Sequence, residues 1–592
     1  MLEQLKKLQS LMKENDIAIY ILPTSDYHSS EYIGDYFKCR QYMSNFTGSN
    51  GTLVVCLDSA YLFTDGRYFI QAEHELQNTE IILMKMGEEN VPSLEDFVEK
   101  KLMIKQNIGF DGKVMTTLQA KKFEKIVSRK NGKLIFDKDL VGIIWKDRPQ
   151  LSKEKVFSLD ITYSGKSTKE KIEEICLKLE KLKAKNNLIT SLDDIAWILN
   201  LRGNDITFNP VFLSYLIINT SGNHHLFIEK NKLNEEVIEN LEKNNISIHK
   251  YNDIIDFIKT IKESILIDPN KVSYTLYKNL NTKIIEDDNP SLLLKAIKND
   301  IEIENLKKVH LIDGIAMTKF MYWLKKSIGN EEIDELSVAN KLLEFRKLNP
   351  HFIEPSFNTI CAYNANAAMM HYSATIESFS KIEKKGMLLI DSGGQYYEGT
   401  TDITRTFILG EVSREFKMHF TTILQSVLNL SSAKFLYGVR GTNLDILARG
   451  PIWDLLLDYK CGTGHGVGYL LNVHEAPNGF RWKSVPERND SCILEAGMIT
   501  TNEPGIYLEN KYGIRHEQEM LCIELDKNEY GNFLGFETLT LCPIDLEGIL
   551  PELLTTKQKE QLNEYHLKVF NKLSPFMDDN EKEWLKKVTK KI

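Results

Sequence analysis

The chain has 592 residues, 42% of them hydrophobic and 27% charged, with a formal net charge of −9. That length is too great for one core and predicts roughly three to four domains of a globular, water-soluble protein. The acidic balance argues against nucleic acid or an anionic membrane as partner, and no apolar run reaches the length that crosses a bilayer.

Residues 1–15 alternate Leu with Lys and Glu at helical spacing, without the uninterrupted apolar stretch of a signal peptide. The apolar strand Ile17–Leu22 follows, then a polar loop with Tyr27, His28 and Tyr32. After the turn Gly48–Gly51 come paired strands, Thr52–Leu57 and Ala60–Thr64. A similar order returns after residue 160. Ser167 and Glu170 have capping-box spacing and open a helix running to Ala184. A segment at Asp193–Leu201 then precedes strands at Val211–Ile218 and His224–Glu229. These read as two α/β domains of related plan, over 1–150 and 151–298.

From Asp300 the texture changes. Ile303, Leu306, Val309, Ile312 and Ala316 fall at steps of three and four, as in a long amphipathic helix, and Glu332–Leu348 gives a second. Strands are expected at Thr359–Ala362, Met387–Asp391, Thr400–Leu409, Tyr469–Val473, Gly497–Glu503 and Gly513–Glu524, with helices near 414–435 and 444–457 between them. The mixture predicts an α+β domain over 299–530, with helices over one face of a curved sheet. A C-terminal extension over 531–592, helical from 545 and Lys-rich towards its end, is expected to pack on it. The eight cysteines are scattered with no C-x-x-C pair. Neither a zinc ribbon nor a disulfide framework is indicated, and a reducing cytoplasm fits.

Five potential metal ligands lie in order along the last third: Asp391, Asp402, His465, Glu503 and Glu517. Four carboxylates and one imidazole suit two divalent ions sharing bridging oxygens better than a tetrahedral structural zinc. Asp391 ends an apolar strand, and Asp402 lies in the β-branched run Thr400–Thr406. A hairpin turning at Tyr397–Gly399 puts the two side chains roughly opposite each other; the plain alternative is that both flank a surface hairpin. Glu503 precedes Pro504 at a strand end. In the returning strand Arg515, Glu517 and Glu519 share a face while His516 points away, and Arg515 is suited to orient a ligating carboxylate. His465 lies in Gly462–Gly468, where glycines let the backbone pass close to a ligand. No G-x-G-x-x-G register fits there, and neither His465 nor His474 belongs to an H-E-x-x-H helix, which excludes a zincin. His371, in Met369–Tyr372, is a third histidine candidate that alone reads more readily as a packed residue.

The segments Asp391–Gly394, Gly399–Thr406, Gly462–Gly468, Asn472–Glu475, Glu503–Gly505 and Gly513–Glu517 resemble the pita-bread metallopeptidases, and most of all the three-domain Xaa-Pro aminopeptidases (aminopeptidase P). Thr64–Tyr68, Leu192–Gly203 and Asn209-Pro210 resemble the two creatinase-like N-terminal domains of that form. The likeness implies that Asp391 chelates one metal, that Asp402 and Glu517 bridge two, and that His465 and Glu503 bind the other. The usual ions are Mn2+, with Zn2+ or Co2+ as alternatives. His371 and His474 would contact substrate and the oxyanion, and Arg515 would support the chemistry. Where relatives commonly carry a His four residues before the metal-binding one, this chain has Cys461, a substrate-side position whose hold on longer peptides is thereby in question. The implied reaction is hydrolysis before a penultimate proline by a hydroxide bridging two metals, with Glu503 passing the proton to the leaving nitrogen. A homodimer is implied as well. The rivals are a proline dipeptidase, which normally has one N-terminal domain, and a non-catalytic peptide-binding relative, which would have lost ligands.

Overall fold

The computed structural model describes residues 2–483 and 491–592. The chain divides into two compact units, Met1–Asp160 with Lys166–Leu292, and Ile161–Gly165 with Leu293–Ile592. The first unit contains two six-stranded sheets. One is centred on Ile19–Pro23, flanked antiparallel by Thr52–Cys56 and parallel by Ile108–Gly109. The other is centred on Asn186–Ile189, flanked antiparallel by Tyr215–Asn219 and parallel by Ile265–Ile267. Counting strands along the chain within each sheet, both have the order 4-3-2-1-5-6, so the related plan read from the sequence extends to strand order. The helix Glu3–Glu14 buries Leu5, Leu8 and Met12, three and four residues apart. The helix Thr168–Lys181 opens on the Ser167/Glu170 capping box.

One expected strand is shorter than its apolar run. Val211–Ser214 is buried but lies outside the ladder, which begins at Tyr215. Asp205 draws this segment into a loop by accepting the Leu213 N–H at 2.7 Å, and Gly203 N–H donates to the Pro210 carbonyl at 3.1 Å.

The second unit opens with the long helix Asp300–Ser327, capped by Asn299 and Glu302, followed by Glu335–Lys347. Its strands form two broken hairpins. In the first, Met387–Ser392 pairs with Ile403–Ile408, and further out Gly394–Tyr396 pairs with Gly399–Thr400. In the second, Ile499–Asn502 pairs with Gln518–Asn528, and Gly505–Leu508 pairs with Tyr512–Arg515. The continuous strand expected over Gly513–Glu524 is thus two strands with a break at His516 and Glu517. The helices are not confined to one face of the first hairpin. Leu388, Ile390 and Phe407 pack with Phe320 and Leu324 of the long helix, whereas Met387, Leu389 and Ile408 pack with Phe420 and Ile423 of the helix Arg414–Ser431. Side chains alternate across a strand, and here both sets are apolar, so both faces need cover. The helices Thr556–Leu573 and Asp579–Val588 of the extension bury Val569, Leu573 and Leu585 with Leu541.

A candidate metal centre at two hairpin breaks

Both hairpins lose their regular pairing at the residues of chemical interest. Asp402 lies between Gly399–Thr400 and Ile403–Ile408, Glu503 follows Ile499–Asn502, and Glu517 follows Tyr512–Arg515. Asp391 stays in its strand, paired with Thr404, so it faces Asp402 diagonally and not directly across. His465 comes from the short strand Gly464–Gly466, held between Glu475–Phe480 and Ile499–Asn502 with a register shift beside it. Close approach explains two of its glycines. A Cβ on Gly464 would stand 1.9 Å from the Thr501 carbonyl oxygen, and one on Gly466 2.3 Å from that of Glu475.

The apolar run Tyr469–Val473, expected as a strand, is a buried bend. Gly468 N–H donates to the Asn472 carbonyl at 3.1 Å, and Leu470 takes a left-handed φ of 47°. The bend delivers His474 to His465, and their ring centroids lie 4.2 Å apart.

Asp402, His465 and Glu517 each offer a ligand atom within 4.8 Å of the others. The His465 Nε2 is 3.6 Å from Asp402 Oδ2 and 3.4 Å from Glu503 Oε1. Its Nδ1 lies 2.9 Å from the Gly466 carbonyl oxygen, an atom that only accepts. Nδ1 therefore carries the hydrogen, and Nε2 is the ring nitrogen turned toward two carboxylates. Among the described residues, Asp391 Oδ1 and Asp402 Oδ1 are buried with no hydrogen-bond donor. Carboxylate oxygens gathered around an imidazole nitrogen fit divalent cations, hard acids that these donors hold well.

The electrostatics agree. Burial raises the pKa of Asp402, and the negative charges of Glu517 and Asp391 add to it. Burial also raises Glu517, with Glu503 and Asp391 adding, and raises Glu503 against the opposing pull of Arg515. Arg515 is the buried cation among these carboxylates. It pairs with Asp391, donates Nε–H to Thr404 Oγ1 at 3.0 Å and Nη1–H to the Tyr507 hydroxyl at 2.6 Å. Burial alone would lower its pKa, but Tyr507, Asp391 and Glu503 together raise it. His516 packs its ring on Phe420 at 4.3 Å, and burial pushes its pKa down to about 3. Cys461 is half-buried, and burial with Glu503 nearby pushes its thiol up to about 11. His371 sits in the turn where Tyr372 N–H meets the Met369 carbonyl.

Further residues, given no role from the sequence, support the ligands. Glu519 accepts the Asp402 N–H at 2.6 Å and faces His310 Nε2 of the long helix at 3.3 Å. Glu517 accepts the Thr404 hydroxyl at 2.8 Å. Arg405, fully buried, donates to the Thr404 and Glu517 carbonyls and, from the extension, to the Cys542 and Pro543 carbonyls and the Tyr565 hydroxyl. The neighbours of Glu517 and Asp402 in the hairpin breaks were the available signal for Glu519 and Arg405; nothing local pointed to His310 or Tyr565.

Residues 304–524 match the description "Metallopeptidase family M24" and 532–592 the C-terminal region of that peptidase. Residues 4–139 and 147–302 each match a creatinase/prolidase N-terminal domain. The architecture is therefore an α+β pita-bread domain preceded by creatinase-like α/β domains. A probable Xaa-Pro aminopeptidase P of Coprinopsis cinerea is 37% identical, covering all of this chain and 98% of its own length. Xaa-Pro aminopeptidase 1 of Dictyostelium discoideum is 36% identical, covering all of this chain and 96% of its own. Among solved structures, the X-prolyl aminopeptidase of Caenorhabditis elegans, described as a cytosolic enzyme with a di-nuclear active site, matches with a TM-score of 0.95 at 34% identity. It covers 100% of this chain and 99% of its own.

Proposed function

The chain belongs to the Xaa-Pro aminopeptidases of metallopeptidase family M24, and from that premise we propose that it releases the N-terminal residue from peptides whose second residue is proline. The observation that carries this reading is the convergence of His465 Nε2 on the Asp402 and Glu503 carboxylates, at 3.6 and 3.4 Å. Asp391 would hold one divalent cation, His465 and Glu503 a second, and Asp402 and Glu517 both. Mn2+ is the proposed metal, with Zn2+ or Co2+ as alternatives. When bound, such a pair supplies Lewis acidity and a water-derived nucleophile at neutral pH.

The protein's own groups do the rest. Glu503, whose affinity for a proton burial and Asp391 increase, takes a proton from the attacking water and hands it to the leaving proline nitrogen. His474 donates a ring N–H to the scissile carbonyl oxygen as it gains charge. Arg515 pairs with Asp391 and fixes its direction. The proline amide is tertiary and has no N–H to recognise, so selection rests on ring shape and chain direction, with His371 and Cys461 lining the substrate's path. Against a proline dipeptidase stands the full-length likeness to aminopeptidases.

A cytoplasmic homodimer completes the proposal. The helix Gly441–Trp453 and the turn after it expose Ile446, Trp453 and Leu456, the last 95% exposed, and the Trp453 and Trp482 rings meet edge to face at 6.0 Å. Such an apolar face suits a self-complementary contact.

With Mn2+, the protein should cleave an Xaa-Pro-Yaa tripeptide far faster than an Xaa-Pro dipeptide and lose that activity on chelation. Preference for the dipeptide moves the reading to a dipeptidase. Light scattering checks the dimer, and Leu456→Asp is expected to yield monomers.

A further inference from the structure

Glu335 lies outside the centre described above, yet its carboxylate is fully buried at the first turn of the helix Glu335–Lys347. A charge withdrawn from water needs donors. Glu335 has four, all from the 363–380 segment. Oε1 accepts the Tyr363 N–H at 2.7 Å and the Asn366 side-chain N–H at 2.9 Å. Oε2 accepts the Tyr372 hydroxyl at 2.8 Å and the Ser380 N–H at 2.7 Å. The Asn366 amide also reaches the Tyr372 hydroxyl at 3.1 Å and Ser380 Oγ at 3.0 Å. Both ends of the loop and its middle therefore converge on one carboxylate.

This loop carries His371, the residue before Tyr372. It is tied to the hairpins as well. Asn364 Oδ1 accepts the Met387 N–H at 3.0 Å. The Ala367 carbonyl lies so close to Gly513 that a Cβ there would stand 1.8 Å from its oxygen, which joins the loop to the strand ending at Arg515. Beyond these anchors the tip is open: Thr375 and Ser378 exchange backbone hydrogen bonds, and Ile376 is 83% exposed. An exposed loop of this length samples many conformations unless its base is fixed. Charge-assisted hydrogen bonds, the stronger kind, fix it here.

We propose that Glu335 is a positioning residue, holding the 363–380 loop so that His371 meets the peptide substrate in one orientation. The inference rests on the reading of His371 as a substrate-contacting residue and adds the group through which that contact is set. Glu335→Gln replaces one acceptor oxygen by an N–H facing the loop's own donors, and so disrupts the hub without changing its size.

The test is a kinetic double-mutant cycle between Glu335→Gln and His371→Ala on a tripeptide substrate, with metal content and melting temperature measured on each preparation. Glu335→Gln should lower kcat/KM about tenfold in the wild-type background, with metal content unchanged. In the His371→Ala background it should cost less than about twofold, because the contact it orients is already gone. Tyr372→Phe removes one of the four hydrogen bonds and serves where Glu335→Gln does not fold; its loss of about threefold should likewise vanish without His371. Equal losses in both backgrounds, with His371→Ala itself impaired, would overturn the proposal and leave Glu335 a support of the fold. Full activity of His371→Ala would instead overturn the reading of His371, and this inference with it.

Discussion

His465 and His474 meet edge to face, with ring planes at 88°, although one belongs to a strand and the other to the bend after it. The proposed metal ligand and the proposed oxyanion donor are thus in direct ring contact.

Removing the second ring separates the roles. His474→Ala is expected to lower kcat about a hundredfold, the effect of losing one oxyanion donor, while metal content stays the same. A ring that served only packing would lower the melting temperature and leave kcat near normal. Both quantities should be read on one preparation.

Asp402→Asn keeps the shape of the side chain and removes a charge needed to hold two cations. Loss of one metal and most activity is expected, with the fold intact. Because Glu517 and Asp391 press on Asp402 in the metal-free protein, the same change should raise the melting temperature after chelation. Mass spectrometry finding two bound ions, together with near-normal turnover, would reject the assignment.

The pKa shifts give a signed pH dependence. Asp402, Glu503 and Glu517 are all raised on folding. Such groups contribute stability that is complete below the unfolded pKa, about 4 for carboxylates, and is lost as pH rises through the folded values. Bound cations take the place of the protons. The buried imidazoles His516 and His566, pushed down to about 3, act in the opposite sense in both metal-free and loaded protein. The quantity to measure is therefore the rise in melting temperature on adding Mn2+, which should grow between about pH 5.5 and about pH 8. A rise that shrinks over this interval contradicts the proposed ligand set.

Cys461 is a neutral thiol at physiological pH, since burial pushes it up to about 11, and a thiol is a weak hydrogen-bond donor. Cys461→His should improve kcat/KM for tetrapeptides more than for tripeptides, by about fivefold, the worth of one hydrogen bond. Equal changes at both lengths would show that this position does not read the peptide beyond proline.

The ligand candidates were legible because each carries a local device: Asp391 at the end of an apolar run, Glu503 before Pro504, His465 among glycines. Periodicity likewise found the long helix, which spans Asp300–Ser327. What failed was the inference of straight strands from apolar content. Tyr469–Val473 and Val211–Ser214 are mostly apolar and buried, and hydrogen bonds that no alternation rule encodes bend them. The Glu519 and His310 pairing and the convergence on Glu335 join residues far apart in the chain, so only the folded structure displays them.

Three of the acceptors that surround buried Arg405, the Cys542 and Pro543 carbonyls and the Tyr565 hydroxyl, lie past residue 531, while its remaining hydrogen bonds go to Thr404 and Glu517. A proteolytic cut near 530 that released the extension would strand a guanidinium, at a cost of several kcal/mol, against the backbone that presents Glu517. Loss of the extension is therefore expected to disturb the placement of Glu517 from a distance.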